Sequence, residues 1–235
     1  MMMKITCDWR DENGKGLIKK DSVTYEYQGS IVSDETIEID LGSHETKAKH
    51  LCLIVTGSLK SQKKIVTKSS VLVLEEIQAG DSLEGLQYAA DGGIKVGENI
   101  TTQWSLVSKK EIVAEGDIRT AALWASAVRA GGAILADESI VVTGGVFAGK
   151  TIWARDGIRV HEGNLEAGGM IASGERIHVG GEIMTDADIL AGTASRVEDA
   201  KRITCAKMSG RARVRYGILH ETHISENHPK TCRIR

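Results

Sequence analysis

An aliphatic residue recurs about every six positions from Ile65 to Ile189, and this period constrains the fold more than any other feature. In the central part of the chain the recurring positions are Ile134, Ile140, Val146, Ile152, Ile158, Leu165, Ile171, Ile177, Ile183 and Ile189. A small or β-branched residue follows two positions later, as in Ile134-x-Ala136. Residues i and i+2 of a strand face the same side, whereas a six-residue period drifts off one face of a helix. The sequence therefore predicts short stacked strands, each with one large and one small inward side chain.

The composition agrees with a repetitive β architecture. The chain has 26 glycines, one proline and only 4% aromatic residues, so its core must be aliphatic and its corners must use Gly, Asp and Asn. Three hexads with a corner each close into a coil of about 18 residues. We therefore predict an all-β fold, a single-stranded β-solenoid of the triangular parallel β-helix type. It would have roughly seven coils and a length of about 34 Å at the usual strand spacing.

The regions on either side of the repeat differ from it in pattern and charge. Residues 1–60 contain alternating stretches such as Val23 to Tyr27, which predict an N-terminal cap or irregular first coils. Residues 61–195 form the predicted solenoid, and residues 196–235 form a basic C-terminal cap or tail with ten Lys/Arg and four Asp/Glu.

Three alternating arginines in this tail would lie on one face of a strand: Arg211, Arg213 and Arg215. Such a basic stripe suits an acidic partner. Aromatic residues do not interleave with these arginines beyond Tyr216, so a nucleic-acid partner is not expected.

The sequence also indicates a cellular compartment. Its apolar stretches fall far short of the ~20 residues that a membrane helix needs, and its first residues lack the apolar core of a signal peptide. We therefore expect a cytoplasmic protein without a membrane span. Cys7, Cys52, Cys205 and Cys232 form no CxxC pair, so reduced thiols are expected rather than disulfides or a zinc site.

The repeat resembles a known class of coil. The segment Gly168–Gly192, with its Ile-x-Ala-x-Gly-x rhythm, is similar to the triangular right-handed β-helices of bactofilins, which are polymer-forming cytoskeletal proteins. It is equally similar to the C-terminal domain of the division inhibitor MinC. The resemblance implies a scaffold or assembly role, through end-to-end stacking or through contacts of a solenoid face. The chain departs from bactofilins in its long flanks, which as caps would cover the coil ends.

One stretch matches the nucleotide-binding P-loop pattern. Gly144 to Thr151 reads G-x-x-x-x-G-K-T, a loop that holds phosphate when it opens a helix. Val146 and Ala148, however, keep the hexad register inside the supposed loop, and Ile152 resumes it directly. We therefore interpret the match as a coincidence and predict no nucleotide cofactor.

The six-residue period also permits an enzymatic alternative. The left-handed hexapeptide-repeat acyltransferases share the six-residue period, and a histidine near a coil corner is their catalytic base. His161 and His178 are the candidates, although both lie between inward positions and should point to solvent. His220, His223 and His228 resemble a metal-ligand set in composition, but their spacing is not distinctive, so we predict no metal site.

Phe147 and Trp153 are the candidate interaction residues within the repeat. Each directly follows an inward aliphatic residue, so both should face outward on consecutive hexads. An exposed aromatic pair on a flat sheet is suited to protein contacts, and packing beneath a terminal segment is the alternative. Our functional hypothesis is a non-enzymatic β-solenoid that acts in assembly, by self-association or by binding another protein.

Overall fold

Strands of two to four residues alternate with tight corners along the chain. The computed structural model describes residues 2–42, 51–85, 87–192, 202–209, 214–215 and 218–221. These residues contain β-strands and no helix, which confirms the predicted all-β solenoid. They divide into two compact units, Met1–Ala125 and Ser126–Arg235. Within the described ranges, no helix could cross a membrane.

The first unit contains eighteen of the described strands. They are Met2–Ile5 (β1), Ile18–Lys19 (β2), Thr24–Tyr27 (β3), Ile31–Ser33 (β4), Thr36–Ile39 (β5), Cys52–Val55 (β6), Leu59–Ser61 (β7), Ile65–Thr67 (β8), Ser70–Val73 (β9), Ile77–Ala79 (β10), Leu83–Gly85 (β11), Gln87–Ala90 (β12), Ile94–Val96 (β13), Ile100–Thr102 (β14), Ser105–Ser108 (β15), Glu111–Ala114 (β16), Ile118–Thr120 (β17) and Ala122–Ala125 (β18).

The second unit contains the remaining fifteen described strands. They are Ala127–Ala130 (β19), Ile134–Ala136 (β20), Ser139–Val142 (β21), Val146–Ala148 (β22), Ile152–Ala154 (β23), Gly157–Val160 (β24), Leu165–Ala167 (β25), Ile171–Ser173 (β26), Ile177–Val179 (β27), Glu182–Met184 (β28), Ile189–Ala191 (β29), Arg202–Cys205 (β30), Lys207–Ser209 (β31), Val214–Arg215 (β32) and Ile218–Glu221 (β33).

Each unit is a three-sided coil, because a strand generally pairs in parallel with the strand three places later. In the first unit, sheet Ia has the order β1-β5-β8-β11-β14-β17, sheet IIa β4-β7-β10-β13-β16, and sheet IIIa β2-β3-β6-β9-β12-β15-β18. In the second unit, sheet Ib has the order β20-β23-β26-β29-β32, sheet IIb β19-β22-β25-β28-β31, and sheet IIIb β21-β24-β27-β30-β33. Strand β2 is antiparallel to β3. The repeat amounts to about eight turns, compared with the seven expected.

The core consists of the inward pair that the hexad pattern specifies. Ile134 is in register with Ile152, and Ala136 with Ala154, so like residues stack on like residues along the coil. All four of these side chains are fully buried. The parallel register also extends to strands before residue 61, since Ile31 is in register with Leu59 and Ile37 with Ile65.

Within the described part of the hexad repeat, one inward aromatic residue breaks the aliphatic rule; Tyr25 and Tyr27 of β3 are also inward but precede the repeat. Tyr88 is fully buried, and its hydroxyl donates a hydrogen bond of 2.8 Å to the backbone carbonyl of Glu84. It occupies the inward position of β12 because the step from Leu83 has five residues instead of six. Room for the ring is left by Gly85 of β11, where a Cβ would lie 3.1 Å from the ring of Tyr88, and the hexad pattern alone did not predict this arrangement.

Corner residues are joined to the corners above and below by hydrogen bonds. The Asn99 side-chain oxygen accepts from the Asp117 amide at 2.8 Å, and Asn164 accepts from the Glu182 amide at 2.9 Å. Both contacts span 18 residues, one full coil. No buried side-chain nitrogen or oxygen among the described residues lacks a hydrogen-bond partner. The polar corners are therefore satisfied by their neighbours in the stack.

A polar and aromatic cluster packs against the first strands of sheet IIIa. Trp9 meets Tyr27 edge-on with ring centroids 5.2 Å apart, and Lys15 lies 5.3 Å from the same ring. The Tyr27 hydroxyl donates to the Asp11 carboxylate at 2.7 Å. Burial and the Asp11 carboxylate raise the pKa of Tyr27 to about 12. The hydrogen bond from Tyr27 in turn lowers the pKa of Asp11.

We expect this cluster to weaken in alkali. The pKa of Tyr27 is higher in the folded chain than the ordinary value of 10.0, so its contribution to stability is complete below pH 10 and is lost as the pH rises toward 12. The free energy of unfolding in urea, measured from pH 8 to pH 12, should therefore fall more steeply for the wild type than for Tyr27→Phe. Lysine deprotonation affects both proteins equally, so the difference between the curves reports Tyr27 alone. Parallel curves for the two proteins would contradict this assignment.

Candidate interaction surfaces

Charged residues recur at outward positions of sheets Ia and IIa of the first unit, whereas on sheet IIIa the outward Glu26 of β3 is followed by five strands without one. On sheet Ia the central outward positions are Glu38, Val66, Glu84, Thr101 and Arg119. On sheet IIa they are Val32, Lys60, Gln78, Lys95 and Val113. Several of these charges are paired, as in the 2.7 Å contact between Lys64 and Glu84. These two faces are typical of solvated sheet surfaces.

The third sheet of the first unit differs, because five successive strands carry no charged residue at their outward positions. We call this surface the uncharged face; it consists of Cys52, Ile54, Ser70, Leu72, Gln87, Ala89, Ser105, Val107, Ala122 and Trp124. Its central row is in continuous register from Ile54 through Leu72, Ala89 and Val107 to Trp124. Cross-strand neighbours of this kind form one apolar stripe.

The stripe is partly open to solvent. Trp124 is 39% exposed, and Trp104, directly before β15, is 41% exposed. Burial and the charge of Asp21 raise the pKa of the Cys52 thiol, which keeps this position neutral as well. At one margin of the face, Asp91 and Lys109 form an ion pair of 2.8 Å.

Sequence reasoning missed this face, although the signal was present. The residue between the two inward positions is apolar in every third hexad, at Ile54, Leu72, Ala89 and Val107. Since three hexads make a turn, the pattern is visible only when every third hexad is read together. Reading consecutive hexads mixes the three faces and hides it.

Phe147 and Trp153 both point outward, but they do not share a sheet. Phe147 lies in β22 of sheet IIb and Trp153 in β23 of sheet Ib, because consecutive hexads occupy different sides of the coil. The expectation of one aromatic pair on a flat face is therefore wrong. Phe147 is half-buried beneath Arg129, whose guanidinium lies 5.4 Å from the ring. Trp153 is half-buried between Leu135 and Ala172 of the adjacent strands.

Only one arginine of the predicted basic stripe lies within the described residues. Arg215 is in β32, in register with Leu190 of β29. Arg211 and Arg213 lie outside the described residues, as do His223 and His228 of the candidate metal set. Among the residues that are described, no group of three His, Cys, Asp or Glu side chains could hold a metal ion.

The P-loop match has the backbone of the coil rather than of a phosphate loop. Val146 and Ala148 are inward residues of β22 with 2% and 0% exposure. The Gly149 amide donates to the Ala130 carbonyl at 3.0 Å, and the Lys150 amide to the Gly132 carbonyl at 3.1 Å. These amides are therefore committed to the stack, and no helix follows them.

The two histidines considered as catalytic candidates lie on adjacent turns of the coil. His161 and His178 are exposed on the side of sheet IIIb, as their positions between inward residues predicted. Both line a shallow groove of about 790 Å³, together with Arg159, Arg176 and Gly157. Sequence reasoning identified the histidines but not the arginines.

Comparison with known proteins identifies no relative. No family model, curated protein or solved structure matches the chain. Function must therefore be inferred from the chemistry of its surfaces.

Proposed function

We propose that the chain is a non-enzymatic structural β-solenoid that assembles with a second copy of itself through the uncharged face. The observation that carries the proposal is the unbroken outward row Ile54, Leu72, Ala89, Val107 and Trp124 on sheet IIIa. Removing apolar surface of this kind from water lowers the free energy and so favours association. On the other two faces charged residues recur among the central outward positions and favour solvent, whereas on sheet IIIa the row is charged only before Ile54, at Glu26.

The tight corners of the coil also favour a scaffold over an enzyme. Between β8 and β29 no connection between consecutive strands is longer than four residues. Enzymes on repetitive folds generally place their reacting groups on longer loops, which supply the walls of a pocket. The resemblance to bactofilins and to the MinC domain points to assembly in the same way.

The charge distribution favours a second copy as the occupant. A two-fold contact brings the same surface of two molecules together, so a charged face would repel itself, whereas this face would not. The opposite charges at its margin, Asp91 and Lys109, lie on adjacent coils. A two-fold axis between β12 and β15 would place Asp91 opposite Lys109 of the partner subunit.

The size of the face indicates a reversible contact. Five strands at the usual spacing extend for about 19 Å, and four residues of strand cover about 13 Å. Such an area is well below the ~800 Å² per partner of a standard stable interface. We therefore expect a weak dimer that forms at high micromolar to millimolar concentrations and dissociates on dilution.

The chain provides a closely matched pair of test variants. Val107 on sheet IIIa and Val113 on sheet IIa are both half-buried outward valines of neighbouring strands. Val107→Glu should weaken dimerisation at least ~10-fold, since each copy would bring a buried charge to the contact. Val113→Glu should leave it unchanged. Sedimentation velocity over a range of concentrations measures both.

The outcomes separate the possible occupants. A wild-type protein that stays monomeric at millimolar concentration would overturn self-assembly. A photocrosslinker at position 107 that joins only copies of this chain in an extract of the producing cells would support it. Adducts with a different protein would retain the face as an interaction surface but overturn the second copy as its occupant.

A further inference from the structure

The floor of the groove on sheet IIIb includes a glycine. Gly157 takes an outward position of β24, in register with Ser139 of β21. A Cβ built at Gly157 would have one close neighbour, the Arg176 carbonyl oxygen at 3.4 Å, which is an ordinary contact. The space above this glycine is therefore open and not filled by packing. A side chain would fit at this position, so strand pairing does not require a glycine here. The effect of Gly157 on the structure is to leave a gap in the sheet surface.

Two arginines border this gap from adjacent strands. Arg159 is the next outward residue of β24, and it is in register with His178 of β27. Arg176 directly precedes β27, and its carbonyl accepts the Ile158 amide at 3.0 Å, which places Arg176 beside Gly157. Both arginine side chains are exposed, so they can swing over the floor of the groove.

Basic and acidic residues occupy different parts of the groove. The outward strand residues here are Ser139, Val141, Gly157, Arg159 and His178, and none is acidic. The carboxylates of Asp156 and Glu175 lie at the margin, in the corners that lead into β24 and β27. Neighbouring ion pairs, Arg155 with Asp137 and Lys207 with Glu182, do not involve the two groove arginines. At a distance, the carboxylates of Asp156 and Glu175 offset the charges of Arg159 and Arg176. Attraction for an anion would therefore come from direct contact with the guanidinium groups.

We propose that this groove binds a phosphate group of a small molecule, held over Gly157 between the guanidinium groups of Arg159 and Arg176. The planar guanidinium donates paired hydrogen bonds that fit the oxygens of a phosphate. His161 and His178 line the same groove, and their ring N–H groups supply further donors. The proposal is independent of assembly through the uncharged face, which is on a different unit.

The test uses inorganic phosphate as the probe and the full chain as the receptor. Saturable shifts in two-dimensional amide NMR spectra should centre on Gly157, Arg159 and His178 in the millimolar range. Sodium chloride at matched ionic strength should not reproduce them. Shifts spread over all basic surfaces, or equal shifts with chloride, would mean general charge screening and overturn the proposal.

Variants distinguish a built site from loose attraction. Arg159→Gln and Arg176→Gln should each weaken phosphate binding at least fivefold, and Gly157→Leu should abolish it by filling the floor. Arg119→Gln, at an exposed outward position of sheet Ia, is the matched control and should bind as the wild type does. If Gly157→Leu fails to fold, the arginine variants still decide. Wild-type binding by the double arginine variant would refute the site.

Discussion

Replacing Ile100 with alanine is expected to lower the free energy of unfolding by about 2–5 kcal/mol, as for other large-to-small changes in a packed core. Ile100 is fully buried in β14, in register with Leu83 on one side and Ile118 on the other. The lost methyl groups leave a gap in an aliphatic column whose neighbours are fixed by their own hydrogen-bonded strands. The stacked backbone cannot collapse into that gap, so the cost should be near the upper part of the range.

The adjacent residue provides the control for this prediction. Thr101 points outward from the same strand and is exposed, so Thr101→Ala should change stability by no more than about 0.5 kcal/mol. Urea unfolding gives the free energies, and hydrogen exchange locates the damage. In a coil whose turns contact only their neighbours, protection should fall first in β11, β14 and β17. Equal losses from both substitutions would contradict the alternation of inward and outward residues.

Gly174→Ala is expected to destabilise the second unit by about 1–3 kcal/mol or more, as overpacking does elsewhere. A Cβ at this corner would overlap the carbonyl oxygen of Arg155 in the coil before it. The Gly174 amide donates to the Ala154 carbonyl at 2.9 Å, so the two corners cannot separate without losing a hydrogen bond. The strain must therefore spread into the strands on either side.

A second glycine of the same unit separates this steric effect from the general cost of replacing glycine. The nearest heavy atom to a Cβ at Gly157 is 3.4 Å away, so Gly157→Ala should change stability by no more than about 0.5 kcal/mol. Thermal unfolding of the two alanine variants, followed by circular dichroism, measures the difference. If both variants melt with the wild type, close backbone approach does not explain why Gly174 is a glycine.

The core could be predicted because burial follows a local rule. Ile134, Ile140, Val146 and Ile152 were assigned inward from their spacing alone, and each is fully or almost fully buried. A strand side chain faces in or out according to its neighbours one and two positions away, which is information that the sequence contains. Tyr88 was not predicted to be inward, because a five-residue step places it in that position. The register of β12 with β9 and β15 reveals that step.

The outer surfaces could not be predicted in the same way. Phe147 and Trp153 were correctly placed outward, but their distribution over two sheets depends on where the chain turns. The uncharged face joins Leu72, Ala89 and Val107, which are 17 and 18 residues apart. The groove joins Arg159 to His178 across 19 residues, since Asn164 extends that coil by one position. Such distances depend on the length of every corner between them.

The hexad repeat with its large and small inward pair determined, by itself, that this chain forms an all-β solenoid with an aliphatic core. It did so because the choice between inside and outside is made within three residues of strand. Tertiary structure alone decided which outward residues become neighbours. It brought together the apolar row on sheet IIIa, and it placed Arg176 and His178 beside Gly157 and Arg159. Contacts between coils are set by the cumulative length of the turns and not by any local pattern.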